Sequence, residues 1–180
     1  MTCIVGVRHK GSVYIGGDSA GTAGFDLTVR ADQKVFHNGP YLMGFTTSFR
    51  MGQLLRYSLE PPQLPARAAD LDRFMVTTFV DAARQCLKDG GYLKKENEQE
   101  EGGTFLVGVR GELYAIESDF QVGRSVDDYA AVGCGDNLAL GSLFTSTGHP
   151  PRVRATLALE AAAHHSAAVA GPFIVERVGR

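Results

Sequence analysis

Thr2 carries two groups that can work together chemically. Cytosolic processing generally removes an initiator Met before a small residue, so Met1-Thr2 predicts a mature chain whose first residue holds a free α-amine and a β-hydroxyl. An α-amine titrates near ~7.7–8.0, so it can take the hydroxyl proton near neutral pH without a histidine. Many chains begin Met-Thr, and on that pair alone Thr2 is an ordinary terminal residue. The reading sharpens with Asp18, in Gly16-Gly17-Asp18-Ser19-Ala20, and Lys34, in Ala31-Asp32-Gln33-Lys34-Val35-Phe36, because each sits at the end of an expected strand.

Other residues offer competing chemistry. Gly17-Asp18-Ser19-Ala20-Gly21 matches the G-x-S-x-G nucleophile elbow and would make Ser19 the nucleophile of a serine esterase. That elbow needs a helix directly after the serine, and Thr22 to Thr28 has no helical pattern; the glycines then simply make a tight turn that displays Asp18. Gly133-Cys134-Gly135 opens a helix as a dinucleotide loop does, but Leu138 stands where the third glycine belongs and no βαβ unit surrounds it. His164 and His165 are about 100° apart on a helix, so they cannot converge on one metal. Cys3 alternates to the strand face opposite Thr2 and reads as packing.

The elements that must position these residues follow from turn chemistry and periodicity. Cys3 to Arg8 and Val13 to Asp18 are β-rich runs around His9-Lys10-Gly11-Ser12, and Lys34 to His37 and Tyr41 to Phe45 flank Asn38-Gly39-Pro40. A short helix is expected over Ser48 to Tyr57 and a longer one over Asp70 to Asp89, with Leu71, Phe74, Met75, Thr78, Phe79, Ala82 and Cys86 on its core face and Gly90-Gly91 as its stop. Tyr92 to Gly103 reads as an exposed loop. Thr104 to Val109 and Glu112 to Ile116 form another hairpin, Tyr129 to Val132 a further strand, and Asp136 N-caps a helix to Thr147. A last helix covers Val153 to Ala168 and a last strand Phe173 to Arg177. Strands and helices alternate in blocks, which predicts antiparallel sheets covered by helices rather than a parallel βαβ sheet.

Composition bounds the rest. At 180 residues, 44% hydrophobic, 21% charged and with a mean hydropathy of −0.07, one globular domain spanning 1–180 is expected. A net charge of −2 gives no footprint for nucleic acid or an anionic membrane. Cys3, Cys86 and Cys134 are odd in number and far apart, which argues against a disulfide framework or a zinc site and fits a reducing compartment. No apolar run approaches the roughly 18 residues of a membrane span, and the first ten residues lack signal-peptide character, so a cytoplasmic location is expected.

The motifs together resemble the proteasome β-subunit family of N-terminal-nucleophile (Ntn) hydrolases, nearest to the bacterial HslV-type peptidases. In that family an Asp sixteen residues and a Lys thirty-two residues after the Thr nucleophile complete the catalytic group, and Asp18 and Lys34 stand at those separations from Thr2. Lys34-Val35-Phe36 with Asn38 to Phe45 resembles the strand entering the oxyanion loop, and Ala131 to Leu140 resembles the family's Gly-Ser-Gly turn into a helix. The likeness covers most of the chain, less well from Pro61 to Gly103.

The resemblance implies a four-layer α/β/β/α sandwich with two antiparallel sheets and a threonine endopeptidase acting on peptides or unfolded proteins. It further implies a homo-oligomeric ring and an ATP-dependent unfoldase partner, and calls for no cofactor or metal. Thr2 would attack, while Lys34 and Asp18 set its environment: an ammonium lowers the cost of a developing alkoxide, and Asp18 orients it and balances its charge. The oxyanion donor falls on the backbone N–H of Thr47, or on Ser48 if no gap is allowed. This chain departs from the family at Cys134, which replaces a supporting serine with a weaker donor. It departs also at Ser166 and Val169, where many members have Asp and Ser, and at Thr47, where Gly is usual. A catalytically silent ring-forming subunit is the remaining alternative.

Overall fold

The computed structural model describes residues 2–96 and 99–179. Met1, whose removal the sequence reading expects, and residues 97 and 98 of the expected loop lie outside the described residues. The first elements are β1 (Cys3–His9), β2 (Ser12–Gly17), β3 (Ala20–Ala23), β4 (Asp26–Val29), β5 (Val35–Asn38) and β6 (Tyr41–Phe45). Helix α1 (Phe49–Tyr57) comes next, then α2 (Leu71–Phe74) and α3 (Val80–Asp89), which are joined by a π turn over Met75–Phe79. Strands β7 (Lys94–Glu96), β8 (Gln99–Glu101), β9 (Phe105–Val109), β10 (Glu112–Ile116), β11 (Val122–Gly123) and β12 (Tyr129–Gly133) lie after α3. The chain closes through α4 (Asp136–Thr145), α5 (Pro151–His165) and β13 (Ile174–Val178).

Two antiparallel sheets organise these elements, as the block alternation predicts. One has the order β12-β1-β2-β13, with Cys3 opposite Gly133 and Ile4 opposite Gly17. The other has the order β11-β10-β9-β6-β5. Three apolar clusters account for the core. Ile4, Ile15, Val35, Leu42 and Leu106 come from strands of both sheets and pack together. Phe45, Met51, Leu55, Phe79 and Val107 join the second sheet to α1–α3, and Val5, Leu143, Ala158, Leu159 and Val175 join the first to α4 and α5. Gly44 permits the close approach between sheets, because a Cβ there would stand 2.7 Å from methyl carbons of both Ile4 and Ile15. Short residues dominate the α5 face, and that helix is pinned to α4 by the buried Arg154, whose guanidinium donates to the Leu143 carbonyl at 2.7 Å.

Five features differ from the sequence expectations. The helix expected over Asp70 to Asp89 is interrupted by the π turn, which adds a residue to one turn and rotates α3 relative to α2. The buried face therefore runs Leu71, Phe74, Met75, Phe79, Val80, Ala83 and Leu87, while Thr78 is exposed and Ala82 and Cys86 are only half-buried. The expected exposed loop over Tyr92 to Gly103 contains the β7–β8 hairpin, held against α3 by an Arg84–Glu100 ion pair. A second unexpected hairpin, β3–β4, projects from the fold with Phe25 fully exposed at its turn. Finally, α4 takes Gly135 as its N-cap, and Asp136 is instead the acidic residue of the first turn, where it meets the positive end of the helix. The last helix starts at Pro151, whose missing N–H costs nothing in a first turn, and stops at His165 rather than Ala168.

Candidate active site

Thr2 enters β1, and Gly133 of β12 lies opposite the next residue, so the chain start is held at one end of the first sheet. Thr2 is 5% exposed. Gly133 adopts φ +104°, and a Cβ there would stand 2.3 Å from the Thr2 carbonyl oxygen, so only glycine lets β12 pass this close. One residue further on, Cys134 grips Thr2 twice. Its Sγ accepts the Thr2 N–H at 3.3 Å and donates to the Thr2 carbonyl at 3.4 Å.

Asp18 comes directly after the last residue of β2, and Lys34 immediately precedes β5, so the two sheets each deliver one of the pair. The Lys34 ammonium donates to Asp18 Oδ1 at 2.8 Å, and both side chains are essentially without solvent contact. The same Oδ1 accepts the Cys3 N–H at 3.0 Å, and Oδ2 accepts the Ala20 N–H at 3.0 Å. Asp18 thus ties the lysine to the residue directly after Thr2. Burial pulls the Lys34 ammonium below its ordinary pKa, against the opposing pull of Asp18. The Cys3 thiol, pointing into the core, is pushed up to about 12 by burial and secondarily by the Asp18 charge, which makes it inert packing.

An open cavity of about 400 Å³ lies at Thr2, lined also by Thr46, Thr47, Thr104, Glu117 and Cys134. Thr47 has φ +62°, a left-handed conformation that a β-branched residue adopts at a cost and glycine adopts freely. Its hydroxyl accepts the Thr104 N–H at 3.2 Å, which helps hold the loop in that conformation. The Ser48 N–H is spent on the Thr46 carbonyl at 2.6 Å, and the Ser48 hydroxyl caps α1 by accepting the Arg50 N–H at 3.1 Å. Thr47 rather than Ser48 therefore borders the cavity.

The structure places the remaining sequence candidates elsewhere or at the margin. Ser19 is buried, leads into β3 rather than a helix, and donates to the Pro172 carbonyl at 2.6 Å. Ser166 stands 3.9 Å from Cys134 Sγ, while Val169 is buried with the α4–α5 cluster. His164 and His165 are exposed, with their rings edge to face. Thr46, Thr104 and Glu117 reach the cavity without any motif in the sequence to announce them, whereas Ala131, Val132, Gly133, Cys134 and Asp136 all belong to the turn signal over Ala131 to Leu140.

No protein-family model and no curated protein matches the chain. Solved structures do. BPH of Thiobacillus denitrificans, in complex with epoxomicin, matches with a TM-score of 0.79 and 18% identity over 98% of each chain. The eukaryotic HslV of Trypanosoma brucei matches with a TM-score of 0.71 and 19% identity over 99% of each chain. Anbu, the ancestral β-subunit of Yersinia bercovieri, matches with a TM-score of 0.67 and 14% identity over 98% of this chain and 81% of its own. At these identities the likeness is one of fold, and the chain has the proteasome-β-subunit-like fold that BPH, HslV and Anbu share.

Proposed function

We propose that the chain is a threonine peptidase of the proteasome-like Ntn hydrolases, acting through Thr2 once Met1 is removed. The observation that carries this reading is the buried Lys34–Asp18 ion pair bonded to the N–H of Cys3, the residue directly after a threonine that lines an open cavity. The freed α-amine takes the hydroxyl proton as Thr2 Oγ1 adds to the peptide carbonyl carbon. The Thr47 N–H meets the resulting oxyanion, and Lys34 and Asp18 keep the field at the nucleophile favourable to negative charge. Collapse expels the amine half, protonated by the α-ammonium, and leaves an ester on Thr2. Water then hydrolyses that ester by the reverse sequence of proton transfers. Cys134 orients Thr2 through its two contacts.

The likeness to BPH and HslV supports further parts of the reading. The three apolar clusters fit an α/β/β/α layering, with α1–α3 outside one sheet and α4–α5 outside the other. A homo-oligomeric ring many times the 19.3 kDa of one chain, an ATP-dependent unfoldase, peptide or unfolded-protein substrates and a cytoplasmic location complete it. No described helix is long and apolar enough to cross a membrane.

Hydrolysis of a fluorogenic peptide by protein beginning at Thr2, and by protein retaining one residue before it, tests the mechanism. An amide cannot accept the proton, so the extended form should be at least about 100-fold slower. Thr2→Ser should keep partial activity and Thr2→Ala none. Epoxomicin, present in the BPH complex, should leave a mass adduct confined to Thr2. Equal rates from the two forms, with no processing of the longer one, would overturn the reading.

A further inference from the structure

The side chains that line the cavity at Thr2 carry charge of one sign only. Glu117, just past β10, and Asp136, opening α4, both line it, together with the hydroxyl-bearing Thr46, Thr47 and Thr104. Among the described residues no cationic side chain lines it, and the Lys34 ammonium is buried against Asp18. The two carboxylates are not equivalent. Asp136 sits in the first turn of a helix, where the N-terminal dipole and the Asn137 N–H, at 2.6 Å from Oδ1, already offset its charge. Glu117 has no such compensation, is half-buried, and forms no ion pair among the described residues.

The apolar part of the lining is small. It is limited to Ala131 and Val132, with no aromatic residue, leucine, isoleucine or methionine among the described residues, so a phenylalanine or leucine of a substrate would bury little apolar surface there. A lysine or arginine would instead meet an uncompensated carboxylate in a partly desolvated recess, where opposite charges interact more strongly than in open water. Resting on the peptidase reading, we propose that this cavity selects peptides with lysine or arginine adjacent to the scissile bond, and that Glu117 is the specificity-determining residue.

The test uses internally quenched peptides identical except for one central residue, Arg, Leu or Glu, with cut positions mapped by mass spectrometry. The Arg peptide should be cut beside the Arg with kcat/KM roughly 10-fold or more above the Leu peptide, and the Glu peptide should be poorest. Glu117→Gln should reduce the Arg-to-Leu ratio by about 5- to 20-fold, chiefly through the KM for the Arg peptide. Asp119→Asn, two residues on and outside the cavity, should leave the ratio as it is. Raising salt should weaken the Arg preference only. A Leu peptide cut as well as the Arg peptide, or a ratio indifferent to Glu117→Gln, overturns the inference. Calorimetric titration of Thr2→Ala protein with the same peptides separates it from the peptidase reading. Arg-selective binding that Glu117→Gln abolishes, without turnover by mature protein, would sink the peptidase reading and sustain the cavity's selectivity. Equal binding of Arg and Leu peptides would sink the selectivity whatever the turnover.

Discussion

The Cys134 thiol accepts the Thr2 N–H and donates to the Thr2 carbonyl, so one sulfur holds both backbone polar groups of the candidate nucleophile. A thiol is a weak partner in both directions, and a hydroxyl would serve better. Cys134→Ser should therefore keep or raise the rate of fluorogenic peptide cleavage. Cys134→Ala, which removes both bonds without adding bulk, should lower kcat by about 10-fold or more, because each lost contact weighs on the order of 1 kcal/mol. Turnover that survives Thr2→Ala but disappears in Cys134→Ala would move the nucleophile to the sulfur.

Lys34 combines a structural and a chemical role. Lys34→Met leaves the Asp18 carboxylate buried with only its backbone donors, so unfolding by urea should show a loss of about 3–5 kcal/mol. Adding Asp18→Asn should return part of that stability without returning activity. Lys34→Arg should fold yet remain at least about 10-fold impaired, since a planar fork cannot place one compact charge in this space. Wild-type rates in the Arg variant would show that net positive charge is enough.

Gly133→Ala should be costly for a different reason. Its Cβ would collide with backbone, the Thr2 carbonyl oxygen, at a φ that side chains avoid. We expect a loss of about 3 kcal/mol and a drop in Tm of roughly 10 °C, with activity falling alongside as Thr2 is displaced. An unchanged melting temperature would show that β12 can retreat from Thr2.

Alkaline pH should destabilise the fold through its buried thiol and phenol groups. Burial pushes the Cys3 thiol and the Tyr41 phenol each up to about 12, and raises Tyr114 through burial and then its bond to Asp72. Below pH 9 both folded and unfolded chains hold these protons. Between about pH 9 and 12 the unfolded chain releases them while the folded one does not, so stability falls as pH rises. Lys34 works the other way, its lowered folded value adding stability as pH approaches 10.5, but it is one group against these three and the likewise raised Cys86 and Tyr92. Urea midpoints at pH 7.5, 9 and 10.5 should decline through the series, and Tyr41→Phe should flatten the decline while losing its bond to Pro62. A flat series would refute the assignment.

The sheets were legible because their strands are short alternating or continuous apolar runs bounded by turn residues such as Asn38-Gly39-Pro40. The β3–β4 and β7–β8 hairpins were not, because their positions are largely exposed and so carry no inside-outside alternation. Periodicity located the long helix but not its lower face; the π turn at Met75–Phe79 changes the period itself, moving burial from Ala82 and Cys86 to Ala83 and Leu87. Around Thr2, strand ends marked Asp18 and Lys34, whose pairing the structure displays. Glu117 had no local mark, since its relevance arises only when β10 brings it beside β12 and Thr2.

The grip of Cys134 on Thr2 spans 132 positions of sequence, and the strand facing Cys3 ends only at Gly133. Thr2 thus waits for the 132 positions that follow it before it is seated, a closure that carries a large loop entropy. A nascent or truncated chain lacking β12 has no assembled cavity. On the peptidase reading proposed above, hydrolytic competence would then arrive late in biogenesis, and a half-made chain could not cut its neighbours on the polysome.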